Sequence, residues 1–200
     1  MKDYLGSPVN EATLANYELL PGGVIVECGV WQCRTTNIIA KARPNFQMYG
    51  FDSFRGLPED WIRGDQNISA KHFDKRGNVP RRDVPSNVKL IAGWFNETLP
   101  PFVAEHPSDF LAYLHVDCDI YSSTVTVLNT LSSMLRPGTI IVFDDMFNYP
   151  GWEQHEAKAM FEFFSETDWR VEWLGKQYGI TRHPTKDEGF WTQSVAIRIW

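Results

Sequence analysis

The sequence predicts an α/β fold in which a largely parallel sheet is covered by helices on both faces. Three observations carry this reading. Short apolar runs rich in β-branched residues are bounded by glycine or by acids, as buried strands are. Five such runs alternate with helical stretches along the 200 residues. The last two runs lie close together, which adds an antiparallel member at the edge of the sheet.

Taken in order, residues 8–20 read as a helix stopped by Pro21-Gly22-Gly23. Val24-Ile25-Val26-Glu27-Cys28 is the first strand, followed by a helix over 35–42 and a strand over 46–51. The pattern repeats as strand 88–92, helix 96–105, strand 110–116, helix 122–135, strand 139–143 and helix 152–167. Strands near 169–174 and 194–199 close the chain. Residues 53–86 follow no period. They hold seven of the 19 basic residues (Arg55, Arg63, Lys71, Lys75, Arg76, Arg81, Arg82) against five acids. A long irregular insert is either a lid over a binding site or a solvated connection. Residues 175–192 form a second irregular stretch that would overhang the same side.

Composition excludes several classes. Apolar residues at 43% and charged residues at 22% describe a globular chain, not a disordered one. The net charge of −6 argues against a general nucleic-acid binder, which needs attraction to phosphate. Cys28, Cys33 and Cys118 cannot all pair and lack zinc-ligand spacing. Reduced thiols and a cytoplasmic location are expected. Met1-Lys2-Asp3-Tyr4 opens no signal peptide, and no apolar run reaches the roughly 20 residues that span a bilayer, so no membrane association is expected.

Ligands of open parallel sheets bind at the carboxyl ends of the strands, where strand order reverses. The first strand ends in Glu27-Cys28-Gly29, an acid and a glycine turn that lets a ligand approach the backbone. The second ends in Asp52, 25 residues after Glu27, where an acid accepts hydrogen bonds from ribose hydroxyls. The third ends at Gly93-Trp94, which suits an adenine ring. Together these favour a nucleoside cofactor. The fourth and fifth strands end in Asp117-Cys118-Asp119 and Asp144-Asp145. Four clustered carboxylates repel one another unless a cation neutralises them, and an oxygen set suits Mg²⁺, Ca²⁺ or Mn²⁺. Asp117, Asp144 and Asp145 rank as ligands ahead of Asp119, which stands where a helix cap would. His155 follows on the next helix as a candidate base. His115 shares the strand face of Asp117.

The segments VECGVWQCRTTNIIA, YGFDSFRGLPEDW, AGWFNETLP, LHVDCDIYSSTVTVLNTL and VFDDMFNYPGWEQHEAKAMFEFF, with a terminal QSVAIRI, resemble class I S-adenosylmethionine-dependent methyltransferases of the macrocin O-methyltransferase type. The resemblance runs from about residue 24 to the end. It implies a Rossmann-like three-layer sandwich whose seven-stranded, mostly parallel sheet has its last strand antiparallel. It implies one methyltransferase domain over residues 1–200, with 53–86 as the insert over the active site. Glu27 and Gly29 would shape the cofactor loop, Asp52 would bind the ribose with Ser53 and Phe54 beside it, and Gly93 and Trp94 would contact the adenine. Asp117, Asp144 and Asp145 would hold Mg²⁺, with Asp117, Asp144 and His155 as the catalytic residues. Many relatives carry Gly-Gly where this chain has Cys33-Arg34. Arg34 there would pair with the methionine carboxylate. The lysine base of catechol methyltransferases is replaced by Ile120.

The reaction implied is Mg²⁺-assisted O-methylation of a small-molecule hydroxyl, on a sugar, a phenol or a natural product, with His155 or Asp119 taking the proton. Trp61, Trp152 and Trp191 would favour a planar acceptor or form a homo-oligomer interface. Nucleic acid is not expected as a substrate, since no Asn-Pro-Pro-Tyr-type motif is present. A metal-dependent hydrolase would account for the acids but not for Glu27, Asp52 and Trp94. A non-catalytic cofactor-binding module is the other alternative.

Overall fold

The computed structural model describes residues 8–64, 66–80, 84–176 and 193–200. The central layer is a seven-stranded sheet of β1 (Val24–Cys28), β2 (Met48–Asp52), β5 (Val88–Ala92), β6 (Leu111–Val116), β7 (Ile140–Phe147), β8 (Val171–Lys176) and β9 (Gln193–Ile199). Its order is β5-β2-β1-β6-β7-β9-β8. The first five of these strands in the order pair parallel, and β9 runs antiparallel to both β7 and β8. The antiparallel member therefore lies one strand in from the edge, not at it, because β8 pairs along its outer side.

All five residues of β1 are buried, which is what a run of β-branched residues between two covered faces requires. Alternation sends Val24, Val26 and Cys28 into one core and Ile25 into the other, with Glu27 on the Ile25 side. The larger core packs Leu99 and Phe102 of α3 (Phe95–Glu105), Val127, Leu128 and Leu131 of α4 (Tyr121–Leu131), and Met160 and Phe163 of α5 (Glu156–Ser165) against the sheet. The opposite face is covered by Leu14 of α1 (Pro8–Asn16) and by Ile39 and Ala40 of α2 (Arg34–Ala42).

From β1 the strand order steps outward to β2 and β5, then returns across β1 to β6 and β7. The reversal falls between β1 and β6, so their ends flank the crevice. Several elements differ from expectation: the first helix stops at Asn16, and the helix expected over 122–135 is α4 followed by a 3₁₀ turn (Ser132–Met134). Strand β7 continues to Phe147, past the predicted end at 143, because β9 reaches it through an irregular stretch between Phe143 and Phe147. The predicted helix over 152–167 is a 3₁₀ turn (Trp152–Gln154) followed by α5.

The insert is packed onto the sheet ends. Its strands β3 (Trp61–Ile62) and β4 (Asn67–Ile68) pair antiparallel. Gly64 N–H donates to the Pro150 carbonyl at 2.8 Å, and the Arg63 guanidinium lies 4.6 Å over Tyr149 and 5.1 Å over Trp61. Cys28, Cys33 and Cys118 are all buried. Among the described residues, no helix is long and apolar enough to cross a membrane.

Candidate functional site

A cavity of about 630 Å³ opens in the crevice, walled by Gly29, Asp52, Trp94, Asp117 and Asp119 from the strand ends and by Phe73 from the insert. Gly29 makes the crevice close. Its φ is +101°, and a Cβ there would stand 1.7 Å from the Asp117 carbonyl oxygen. The Asp117 N–H donates to the Cys28 carbonyl at 2.9 Å, continuing the β1–β6 contact to the cavity floor.

Asp52 organises the neighbouring loop. Its Oδ2 accepts the Trp31 N–H at 2.7 Å and its Oδ1 the Phe54 N–H at 2.6 Å. Burial pushes its pKa up, against the lowering by backbone N–H groups of Trp31, Phe54 and Val30. A carboxylate offers roughly four acceptor positions, so one remains for a ligand hydroxyl. Trp31 meets Phe73 edge to face at 5.5 Å, and Lys75 Nζ lies 4.9 Å over the Trp31 ring. Both aromatic rings line the cavity.

Behind this wall lies a buried polar relay. Glu27 is fully buried, accepting a hydrogen bond from the Thr36 hydroxyl through one oxygen and contacting His115 Nδ1 at 3.0 Å through the other. The Asn10 amide joins His115 to the Tyr113 hydroxyl. His115 Nε2 also stands 3.6 Å from Asp144 Oδ1, which accepts from Ser194 Oγ at 3.0 Å. Burial pushes the His115 pKa down, but hydrogen bonds to Asp144 and Glu27 raise it further, leaving it well above the usual imidazole value. Adjacent strand residues point to opposite sides. Asp144 accordingly faces His115, while Asp145 faces Asp119 in the loop after β6.

Among the described residues, Asp117, Asp119 and Asp145 each bring one oxygen within 4.8 Å of the other two. This set contains Asp119 in place of the expected Asp144. Burial raises the Asp117 pKa, with Asp144 the largest adjacent charge. Burial also raises that of Asp119, followed by Asp145 and Glu156. The Asp145 carboxylate, close to Asp119, adds to that rise. A hard divalent cation suits the same oxygens and would relieve the same repulsion, so the residues present fit such an ion.

Of the expected site residues, Gly29, Asp52, Ser53, Trp94 and Asp117 are in the cavity wall. Glu27, Arg34, Phe54, Gly93, Asp144, Asp145 and His155 are not. Phe54 and Gly93 act through their backbones: the first donates to the Asp52 carboxylate, the second to its carbonyl at 3.0 Å. Arg34 is exposed at the start of α2. His155 is buried beneath the insert, where its Nε2 donates to the Ile62 carbonyl at 2.8 Å, and burial lowers its pKa. Trp61 is buried against Tyr149, and Trp152 packs on Phe147. Trp191, Arg81, Arg82 and most of the 175–192 stretch lie outside the described residues. Sequence reasoning missed Trp31 and Phe73 in the wall and Glu156 beneath the acids.

Residues 10–168 match the macrocin-O-methyltransferase (TylF) family. The demethyldecarbamoylnovobiocin O-methyltransferase of Streptomyces niveus is 29% identical, over 72% of this chain and 61% of that protein. The 8-demethyl-8-(2,3-dimethoxy-alpha-L-rhamnosyl)-tetracenomycin-C 4'-O-methyltransferase of Streptomyces olivaceus is 29% identical, over 62% of this chain and 52% of that protein. The matches thus span little more than half the length of these relatives. The crystal structure of a calicheamicin methyltransferase superposes with a TM-score of 0.61 at 22% identity, covering 93% of this chain and 74% of that one, which establishes a shared fold.

Proposed function

The chain belongs to the macrocin-O-methyltransferase (TylF) family, and from that premise we propose that it methylates a hydroxyl of a small molecule, a sugar-bearing natural product first among them, using S-adenosylmethionine. The observation that carries the reading is a single cavity with Asp52 and Trp94 in one part of its wall and the paired acids Asp117 and Asp119 in another. The names of the relatives support the acceptor class: one methylates a rhamnosyl-tetracenomycin, another demethyldecarbamoylnovobiocin.

S-adenosylmethionine, when bound, supplies a methyl group on a positively charged sulfur. Asp52 takes the ribose hydroxyls through its remaining acceptor position. Trp94 offers a flat face to the adenine, and Gly29 lets the cofactor lie against the backbone. Arg34 contributes a positive charge for the methionine carboxylate from outside the wall. Asp117, Asp119 and Asp145 would hold Mg²⁺, which lowers the pKa of a coordinated hydroxyl. Asp119, in the wall beside Ser122 and Ser123, accepts the hydroxyl proton. Transfer gains further from holding the hydroxyl oxygen in line with the methyl carbon, an effect that reaches about 7–11 kcal/mol in ideal systems. Residues 53–86 act as a lid, with Leu57, Pro58 and Phe73 closing the cavity against water. His155 serves that lid by anchoring Ile62.

The test is a panel of glycosylated natural products with free sugar hydroxyls, incubated with methyl-labelled S-adenosylmethionine in Mg²⁺ or in chelator. Label is expected on an acceptor in Mg²⁺ and to fall in chelator. Turnover of a phosphoester panel without methyl donor would replace this reading with a hydrolase.

A further inference from the structure

We propose that Glu156 is a positioning residue that ties the loop after β6 to the end of β7 and thereby sets how Asp117, Asp119 and Asp145 converge. The parallel ladder between these strands ends at the pair Val116↔Phe143. Every acid of the site lies beyond that pair, where no ladder fixes one strand to the other. Glu156, the first residue of α5, takes over there. Its Oε1 accepts the N–H groups of Cys118 at 2.9 Å and Asp119 at 3.2 Å. Its Oε2 accepts the N–H of Asp145 at 3.1 Å. Asp119 and Asp145 thus point their side chains at the acidic site while their backbones hang from one buried carboxylate.

The chemistry singles out glutamate. Burying a carboxylate is costly, and an apolar residue would avoid that cost only by orphaning three N–H groups. Glutamine has one acceptor oxygen, so its NH₂ would face a donor on one of the two strands. Aspartate is one methylene shorter and cannot span both. The N-terminus of α5 adds a favourable field for a negative side chain. The proposal rests on the reading of the acids as a cation site, and the test separates the two.

Glu156→Gln is compared with wild type in three measurements: Mn²⁺ affinity by electron paramagnetic resonance, S-adenosylmethionine affinity by calorimetry, and amide hydrogen exchange. Mn²⁺ affinity is expected to fall about 10–100-fold, the usual effect of removing a group that orients metal ligands. Exchange should quicken at Cys118, Asp119 and Asp145 but not at Leu114 or Val142, and cofactor affinity should hold. Unchanged Mn²⁺ affinity, with wild type binding the ion, overturns the proposal. An equal loss of cofactor affinity does so too, because Glu156 would then support the fold at large. If wild type binds no Mn²⁺, the cation reading fails by itself and exchange at the three amides decides the role of Glu156. Should the glutamine variant not fold, Glu156→Asp keeps the charge and is expected to give the same pattern.

Discussion

Gly29→Ala is expected to force the ends of β1 and β6 apart. The added Cβ would stand 1.7 Å from the Asp117 carbonyl oxygen and 2.7 Å from its carbon, where real Cβ contacts stay above 3.0 Å. Both are backbone atoms, so no side chain can rotate away. Alanine at φ +101° adds strain of about 1–3 kcal/mol. Overpacking of this kind costs about 1–3 kcal/mol more. Loss of the bond from Asp117 N–H to the Cys28 carbonyl adds about 1 kcal/mol. A middle value of about 5 kcal/mol lowers the melting temperature of a chain this size by about 10–20 °C. Because the Gly29 turn moves with Asp117, cofactor and Mn²⁺ affinity should fall as well. Thermal melting followed by circular dichroism, with both titrations on the folded variant, is the assay. A melting temperature within about 2 °C of wild type with both affinities intact would refute the reasoning, since the crevice could not then be as close as Gly29 makes it.

Four further outcomes are expected. Asp52→Ala removes the acceptor for the Trp31 and Phe54 N–H groups and should weaken S-adenosylmethionine binding at least about tenfold by calorimetry; an unchanged affinity contradicts the ribose assignment. Asp119→Asn should reduce Mn²⁺ affinity more than Asp144→Asn, because Asp144 engages Ser194 and His115; the reverse order would return Asp144 to the ligand set. Cys33 already sits in the left-handed region at φ 59°, the conformation glycine prefers, so Cys33→Gly should leave cofactor affinity within about threefold; a large gain would show that the cysteine distorts the loop. Burial lowers the His155 pKa, so the stability tied to its neutral ring is full above about pH 6.5 and is lost as pH falls through the lowered folded value. Melting temperatures at about pH 7.5 and 5 should therefore diverge more for wild type than for His155→Phe, and equal slopes would contradict this.

The strand ends were legible because buried parallel strands are short apolar runs, and each stops where a glycine or acid meets the crevice. Val24–Cys28 and Leu111–Val116 are of this kind, and Gly29, Asp52, Trp94 and Asp117 follow from them. The split between Asp144 and Asp145 was not legible. The two are neighbours in sequence, and which one faces the acids depends on how β9 pairs with β7 some 50 residues away. Glu156 reads in sequence as an ordinary acid in the first turn of a helix. Its role comes from partners 38, 37 and 11 residues distant. The insert has no period to read, because single contacts such as Gly64 to Pro150 and Ile62 to His155 hold it in place. Phe73 enters the wall from that insert, and Trp31 enters it through its N–H bond to Asp52.

The most direct test of the account is a calorimetric titration of S-adenosylmethionine into the protein, in Mg²⁺ and in chelator. The crevice between β1 and β6 predicts one site of micromolar affinity under both conditions, because Asp52, Trp94 and Gly29 hold the cofactor without the acids. No binding in either condition would contradict the assignment of the cavity.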